Sequence, residues 1–339
     1  LQESAYLNLI GFINLSESNL QYGFNFNGDR YTESFNDSLF NRVDLISGLF
    51  AEYTFKSDEY FTLVAGLRSD YHNNSAMHYS PRFNLKYNPT EDLALRFSAG
   101  RAFRIANIFV ENANFLASSR IVKVNEELLP EEAWNLGFNL TYCFYFSGRE
   151  GYINADAYRT VFKNQVVVDL EKQGFLSFYN LTGAGFANIF QIDLGYELFD
   201  RFDLKLAYKI NDAQTTFNNG EQKKNALNAR DRALLNLAYA TYSEKWLFDF
   251  TANYVGKSRI PTHSEVKQQF SDPFMLYNTQ ITKKFNYFDL YLGVENILSH
   301  TQENPIILYD DPSSSGFDAS LIYAPINGRM IYFGFRYTI

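Results

Sequence analysis

A single cysteine, Cys143, occurs in the 339 residues, so no intramolecular disulfide staples the chain, and no Cys/His cluster has the spacing of a structural zinc site. Proline is scarce at 8 residues, as are methionine at 3 and tryptophan at 2. No apolar run approaches the roughly 18 to 20 residues that a membrane-spanning helix requires, which excludes a helical membrane protein. A formal charge of -8 without any basic block argues against a nucleic-acid partner, because phosphate recognition needs concentrated Lys and Arg. Leu1 to Leu7 lack the basic start, apolar core and small-residue cleavage site of a signal peptide. The expectation is a chain whose leader was removed or that begins within a longer protein.

Aromatic residues are abundant instead: 33 Phe and 25 Tyr favour strands and suit a membrane-water boundary. Mean hydropathy is -0.27, yet a membrane barrel is compatible with that value, since only alternate residues of its strands face lipid. From Trp134 onward, Leu136, Phe138, Leu140, Tyr142, Phe144 and Phe146 share one face, and Asn135, Gly137, Asn139, Thr141 and Cys143 share the other. Ile192 to Leu198 and Phe288 to Glu295 alternate in the same way.

This period predicts about fifteen strands, near 4–14, 19–27, 43–56, 59–72, 79–88, 92–100, 133–147, 150–169, 175–199, 201–213, 230–242, 245–257, 273–285, 287–297 and 328–339. Short turns, such as 56–58, 147–150, 199–201 and 243–244, strictly alternate with mostly longer polar connections. Outer-membrane barrels have that asymmetry, with short periplasmic turns and long extracellular loops. Aromatics crowd nearly every short turn, among them Phe55 with Phe61, Phe199 with Phe202, Tyr242 with Trp246 and Phe285 with Phe288, as in a girdle at the periplasmic interface. Soluble jelly rolls and sandwiches also alternate, but their strands usually run about five or six residues, shorter than these. An odd strand count puts the first strand's start at the outer side, whereas single-chain bacterial barrels have even counts, so further strands are expected upstream.

Ser80-Pro81-Arg82-Phe83, Leu93 to Gly100 and Arg101-Ala102-Phe103-Arg104-Ile105-Ala106-Asn107-Ile108 resemble the mid-barrel signature of TonB-dependent outer-membrane receptors, especially those of Bacteroidetes-like bacteria. Glu111-Asn112, Phe115 to Arg120, Leu129 to Gly137, Asn180-Leu181 and Gly293 to Leu298 extend the likeness. Gly328 to Ile339 resembles a terminal strand recognised by the barrel-assembly machinery, although it ends in Ile where Phe is commonest. The resemblance implies an all-β, transmembrane, antiparallel up-and-down β-barrel of 22 strands with a plugged lumen, of which this chain supplies about two-thirds. Residues 1–339 are then the C-terminal part of one barrel domain, and neither the N-terminal plug nor the TonB-contacting segment is recognisable in them.

No catalytic residue and no cofactor is implied. His72, His78, His263 and His300 fall at outer strand ends or loops without a fixed spacing to a nucleophile, so they are read as solvated. Asp310-Asp311 with Asp318 fits no calcium loop and is read as a solvated acidic loop, and no metal site is assigned. The longest connection, about Arg101 to Glu132, supplies the candidate ligand-binding residues Arg101, Arg104, Asn107, Glu111, Asn112 and Arg120. Arginine suits the carboxylates or phosphates of an anionic metal chelate, but the same residues equally suit packing of loops or lipopolysaccharide phosphates. Inward charges of both signs, such as Glu52, Arg68, Arg96, Asp193, Glu295 and Arg336, suit a plugged lumen better than an ion channel.

The functional expectation is TonB-dependent active import of a scarce nutrient, a metal chelate such as a ferric siderophore, haem or cobalamin. Its partners are the TonB complex through an N-terminal segment, outer-membrane lipid and lipopolysaccharide, and a surface lipoprotein if the cargo is a glycan or peptide. The alternative from another class is a passive porin or structural barrel of about sixteen strands, and a surface adhesin or barrel enzyme is a weaker third.

Overall fold

Strands dominate because aromatic and aliphatic side chains alternate with polar ones, and many polar positions find a cross-strand partner. The computed structural model describes residues 1–35, 38–124, 126–261 and 268–337. Fifteen strands run in continuous antiparallel order: β1 (Gln2–Asn14), β2 (Ser18–Phe35), β3 (Ser38–Ser57), β4 (Phe61–His72), β5 (Ala76–Thr90), β6 (Leu93–Arg104), β8 (Glu131–Phe146), β9 (Arg149–Asn164), β12 (Gly185–Phe199), β13 (Phe202–Thr216), β15 (Asp231–Ala240), β16 (Trp246–Val255), β17 (Phe274–Lys284), β18 (Phe288–Glu295) and β19 (Met330–Tyr337). A short β14 (Gln222–Lys224) pairs with the end of β13. β1 and β19 form the two edges of this sheet.

The two faces follow the predicted alternation. Trp134, Leu136, Phe138 and Tyr142 are exposed on the outward face. On the inward face Arg96 donates to Asn139 (2.7 Å), Asn139 to Asp156 (2.9 Å), Asn154 to Asp193 (2.9 Å) and Asn135 to Thr160 (2.7 Å). Rings also lie across glycines on neighbouring strands: Tyr152 faces Gly195, Tyr22 faces Gly11 and Tyr291 faces Gly334. A Cβ on Gly195 would come within 2.2 Å of the Tyr152 ring, so the ring occupies the space a side chain there would need.

The short turns carry the expected aromatic band. Phe199 and Phe202 stack at 4.5 Å, as do Phe285 and Phe288, and Phe55 meets Phe61 edge-on at 6.3 Å. Lys283 sits over the Trp246 ring at 4.7 Å and Arg201 over Tyr242 at 4.6 Å.

At the opposite end the structure corrects the sequence reading in three places. The segment 150–169 is two strands, β9 and β10 (Val166–Asp169), broken at Gln165; 175–199 is likewise β11 (Phe175–Asn180) and β12, broken over 181–184. β10 pairs with β11, and β11 runs parallel to β7 (Ile121–Val124), in a separate three-stranded sheet. Apolar and β-branched residues continue past both breaks, but Val166, Leu176 and Phe178 face an apolar loop interior where the wall strands face outward. The third correction is that connection lengths do not strictly alternate: β2 and β3 pair as far as Phe35 with Ser38, and β4 and β5 as far as His72 with Ala76. Polar residues in 28–35, 38–42 and 76–78 are strand, since beyond the membrane a paired backbone tolerates either side-chain class on both faces.

An apolar core of buried side chains lies in these loops. Ile108 and Phe109 of α1 (Ile108–Glu111) pack with Val166, Leu170, Leu176 and Phe178, the last two fully buried. Gly195→Val is expected to lower stability by about 1–3 kcal/mol through overpacking against Tyr152. The check is the urea midpoint of the folded barrel, with Tyr152→Ala added to the same chain restoring part of the loss.

Candidate functional site

Where the inward face meets the loops, a cavity of about 1280 Å³ opens, bordered by β1 to β6, the start of β8 and the root of the β6–β8 connection. Its wall is built from ion pairs. The carboxylate of Asp70, fully buried, receives Arg68 Nε at 2.7 Å on Oδ2 and Arg68 Nη2 at 2.6 Å on Oδ1, and Nη2 also reaches Asn25 Oδ1 at 2.7 Å. This cluster fits only because Gly48 leaves room: a Cβ there would stand 2.2 Å from Asp70 Oδ1. Arg82 pairs with Glu52, and Arg42 with Asp44 at 2.8 Å. Arg42 also donates to the Ala106 carbonyl at 2.8 Å, which fixes the point where the chain leaves β6.

The six candidate residues fall into two groups. Arg101, Arg104 and Asn107 border the cavity. Arg101 donates to Glu132 at 2.6 Å; Arg104 donates to Glu131 at 2.5 Å and forks onto both oxygens of Glu111 at 2.9 Å. Glu111 in turn accepts from the Asn107 backbone N–H at 3.0 Å. Glu111, Asn112 and Arg120 belong to the loop layer and do not line the cavity. Asn112, buried, donates to the Ile108 carbonyl at 2.8 Å. The Arg120 side chain is 3% exposed and donates through Nε to Asp318 at 2.9 Å and through Nη1 to the Phe175 carbonyl at 3.0 Å.

Asp318 is therefore no solvated loop acid, as the sequence suggested. It also accepts from the Ser320 N–H and hydroxyl at 2.8 and 2.6 Å, and no group of metal-ligating side chains assembles around it among the described residues. Its backbone bridges to Ser118 and Ile307, and Ala319 N–H donates to Ala117 O at 3.1 Å. β9, β12, β13, β15, β16 and β17 lie between the wall strands that carry these two loops, so the contact spans the mouth of the curled sheet. Elsewhere in the layer, Glu171 accepts from Arg259 at 2.6 Å and pairs with Lys223 at 3.2 Å. Tyr179 donates to Asp169 at 2.8 Å; burial and then this carboxylate push its phenol well above the ordinary value. The layer is a cap tied by ions around a small apolar core.

Two histidines read as solvated are buried. His72 and His78 are 3% and 6% exposed at the outer ends of β4 and β5; His300 stacks on Phe274 at 4.9 Å; His263 lies outside the described residues. Sequence reasoning also passed over Arg42, Asp44 and Asp70. Their signal was available: Arg68, Asp70 and His72 occupy alternate positions on one face of a strand, which places all three inward.

Removing one partner of a buried ion pair leaves an uncompensated charge, so Asp318→Ala is expected to cost about 3–5 kcal/mol of local stability in the cap. Limited proteolysis should then cut within 117–124 and 307–321 while the wall strands stay intact.

Comparison with known proteins follows the same outline. The family model described as TonB dependent receptor-like, beta-barrel matches residues 3–297. No curated protein matches the chain. Among solved structures, the chain superposes on a variant of the ferric enterobactin receptor PfeA of Pseudomonas aeruginosa in complex with enterobactin, with a TM-score of 0.72, 15% identity and coverage of 98% of this chain and 54% of that one. It superposes on the FrpB iron transporter of Neisseria meningitidis with a TM-score of 0.69 and 14% identity, covering 99% and 55%, and on the copper transporter OprC with 0.73 and 14%, covering 98% and 55%. At such identity the likeness concerns the fold, and the chain spans about half the length of these proteins. A family match over most of the chain, joined to a meander of fifteen long strands with an aromatic band at the turn end, establishes that this chain belongs to the TonB-dependent receptor β-barrel family and forms outer-membrane barrel wall with its extracellular loops.

Proposed function

We propose that residues 1–339 are the C-terminal part of the barrel of a TonB-dependent importer, and that the cavity beneath the cap receives its cargo. The observation that carries this reading is the cavity's position, on the inward face at the loop end, in a chain of this receptor family. Energy coupling through TonB is assigned to an N-terminal plug and its contact segment, as in the family at large. A metal chelate is the cargo we favour. Proteins of the same fold are described as a ferric enterobactin receptor, an iron transporter and a copper transporter. Arg101, Arg104 and Asn107 are the proposed ligand-facing residues. The Arg104 side chain is 58% exposed, so part of its guanidinium stays free for an anionic chelate while Glu131 and Glu111 hold it in place. Glu111, Asn112 and Arg120 are proposed to support that surface from behind. Lipopolysaccharide is proposed to contact the outer rim, and a surface lipoprotein belongs to the scheme only if the cargo is a glycan or peptide.

Uptake of a radioactive ferric chelate by cells carrying the intact receptor tests this. Saturable accumulation that disappears in a TonB-deficient strain is expected. Equal, non-saturable entry in both strains would support a passive porin instead. Arg104→Ala is expected to weaken chelate binding by about tenfold or more, the loss of one hydrogen bond to a charged group, with unchanged surface expression.

A further inference from the structure

The hydrogen-bond ladder between β5 and β6 stops before the outer rim. Its last pair is Arg82 with Gly100, yet β5 continues outward to Ala76 and β6 to Arg104. Pro81, next in line, has no N–H to offer. Across this seam the contact is made by side chains: the His78 ring stacks on Phe103 at 4.2 Å, and His78 Nδ1 lies 2.9 Å from Glu132 Oε1 at the start of β8.

His78 is one link of a longer chain. Asp44 Oδ1 lies 3.3 Å from His72 Nε2, His72 Nδ1 lies 2.8 Å from Ser75 Oγ, and Ser75 Oγ lies 2.8 Å from His78 Nε2, which leads on to Glu132. Four hydrogen bonds need four protons. Two neutral imidazoles and one hydroxyl supply three, because a neutral imidazole carries one N–H and a hydroxyl one O–H. If each imidazole gives its proton to its carboxylate, two lone pairs face one hydroxyl proton. If the hydroxyl bond is completed on both sides, one imidazole lone pair faces a carboxylate. Arg42 at 2.8 Å from Asp44, and Arg101 at 2.6 Å and Lys163 at 3.0 Å from Glu132, occupy the remaining carboxylate oxygens, which leaves the imidazole nitrogens as the place for a fourth proton. Asp70, opposite His78 in the ladder, is taken up by Arg68, and Glu131 by Arg104.

We propose that the His72–Ser75–His78 junction is a binding site for one proton, and that this proton latches β5 to β6 and β8 at the outer rim. With it bound, one imidazole is an imidazolium between a carboxylate and Ser75, and all four bonds are made. Without this proton one of the four bonds is left unmade, so the latch is complete at low pH and weakens as pH rises. The base of the β6–β8 connection is thereby freed at its β6 root.

Hydrogen–deuterium exchange of the purified intact protein in nanodiscs, corrected for chemical exchange at each pH, reads this directly. Protection of 76–82 and 101–104 is expected to fall on the order of tenfold as pH rises, the loss of one charge-assisted hydrogen bond, while β15 and β16 stay constant. Ser75→Ala removes the shared hydroxyl and with it the need for the fourth proton, so its protection should be independent of pH. His78→Gln, which keeps hydrogen-bonding capacity without titrating, should be equally flat, and heat-modifiable gel migration confirms that each variant folds. Flat protection in the unmodified protein, or an unchanged pH profile in Ser75→Ala, overturns the proposal. Zinc ion that restores protection at high pH assigns the junction to a metal in place of a proton and overturns it as well.

Discussion

Inside hydrocarbon no water can satisfy an unpaired peptide group, and each one left bare costs several kcal/mol, so a chain crossing as strands must pair every one of them with a neighbour. The fifteen-strand ladder meets that demand between its two edges, β1 and β19, and the rest of the molecule is arranged around it. Because side chains alternate with a period of two, the register that completes the backbone pairing also sends Leu136, Phe138 and Tyr142 outward and Asn135, Asn139 and Thr141 inward. A slip of one residue would reverse both faces at once. Among the described residues, departures from the ladder fall at or beside the turns, at the Pro81 seam and at the loop roots, and in the loops β7, β10 and β11 build their own small sheet.

Two interiors result, and they differ in chemistry. The inward face of the wall is held by polar ladders and paired ions, with Asp70 fully buried under Arg68. The cap has an apolar core around Leu176 and Phe178, where full burial of such a side chain contributes about 1.5–3 kcal/mol. Buried ion pairs add little net stability over well-packed apolar groups, but they fix geometry. Arg120 and Asp318 illustrate the point: 198 residues apart in sequence, they hold two loops in one register across the mouth. Arg42 does the same on a smaller scale by taking the Ala106 carbonyl as well as Asp44. The cavity thus lies between a rigid wall and a cap whose position depends on a few charged contacts.

Much of the wall was legible from residues alone. Trp134 to Phe146 alternates so regularly that both its faces and its length could be read, and the pairs Phe199 with Phe202 and Phe285 with Phe288 marked the turn end correctly. Legibility failed where the same pattern served another purpose. Val166 and Val167 continue the β-branched composition of β9 but face the cap, and nothing local at Gln165 signals that the chain leaves the wall. At the candidate site, Arg101, Arg104 and Asn107 border the cavity, although their connection, 105–130 in the structure, is shorter than 296–329. For Arg120 the residue type was visible, but its burial against Asp318 was not, since the partner lies in a different loop.

By itself, the sequence determined the strand period, the identity of the two faces and the count of wall strands, because those depend on neighbours two positions apart and on turn residues between them. Only the tertiary structure decided which polar groups pair across strands and loops. Asp44, His72, Ser75, His78 and Glu132 are unremarkable along the chain and become one hydrogen-bonded series only when β3, β4, β5 and β8 stand side by side at the rim. The physical reason is range: hydrophobic alternation is a local signal, whereas a proton shared among five side chains depends on distances of about 3 Å that register alone can set.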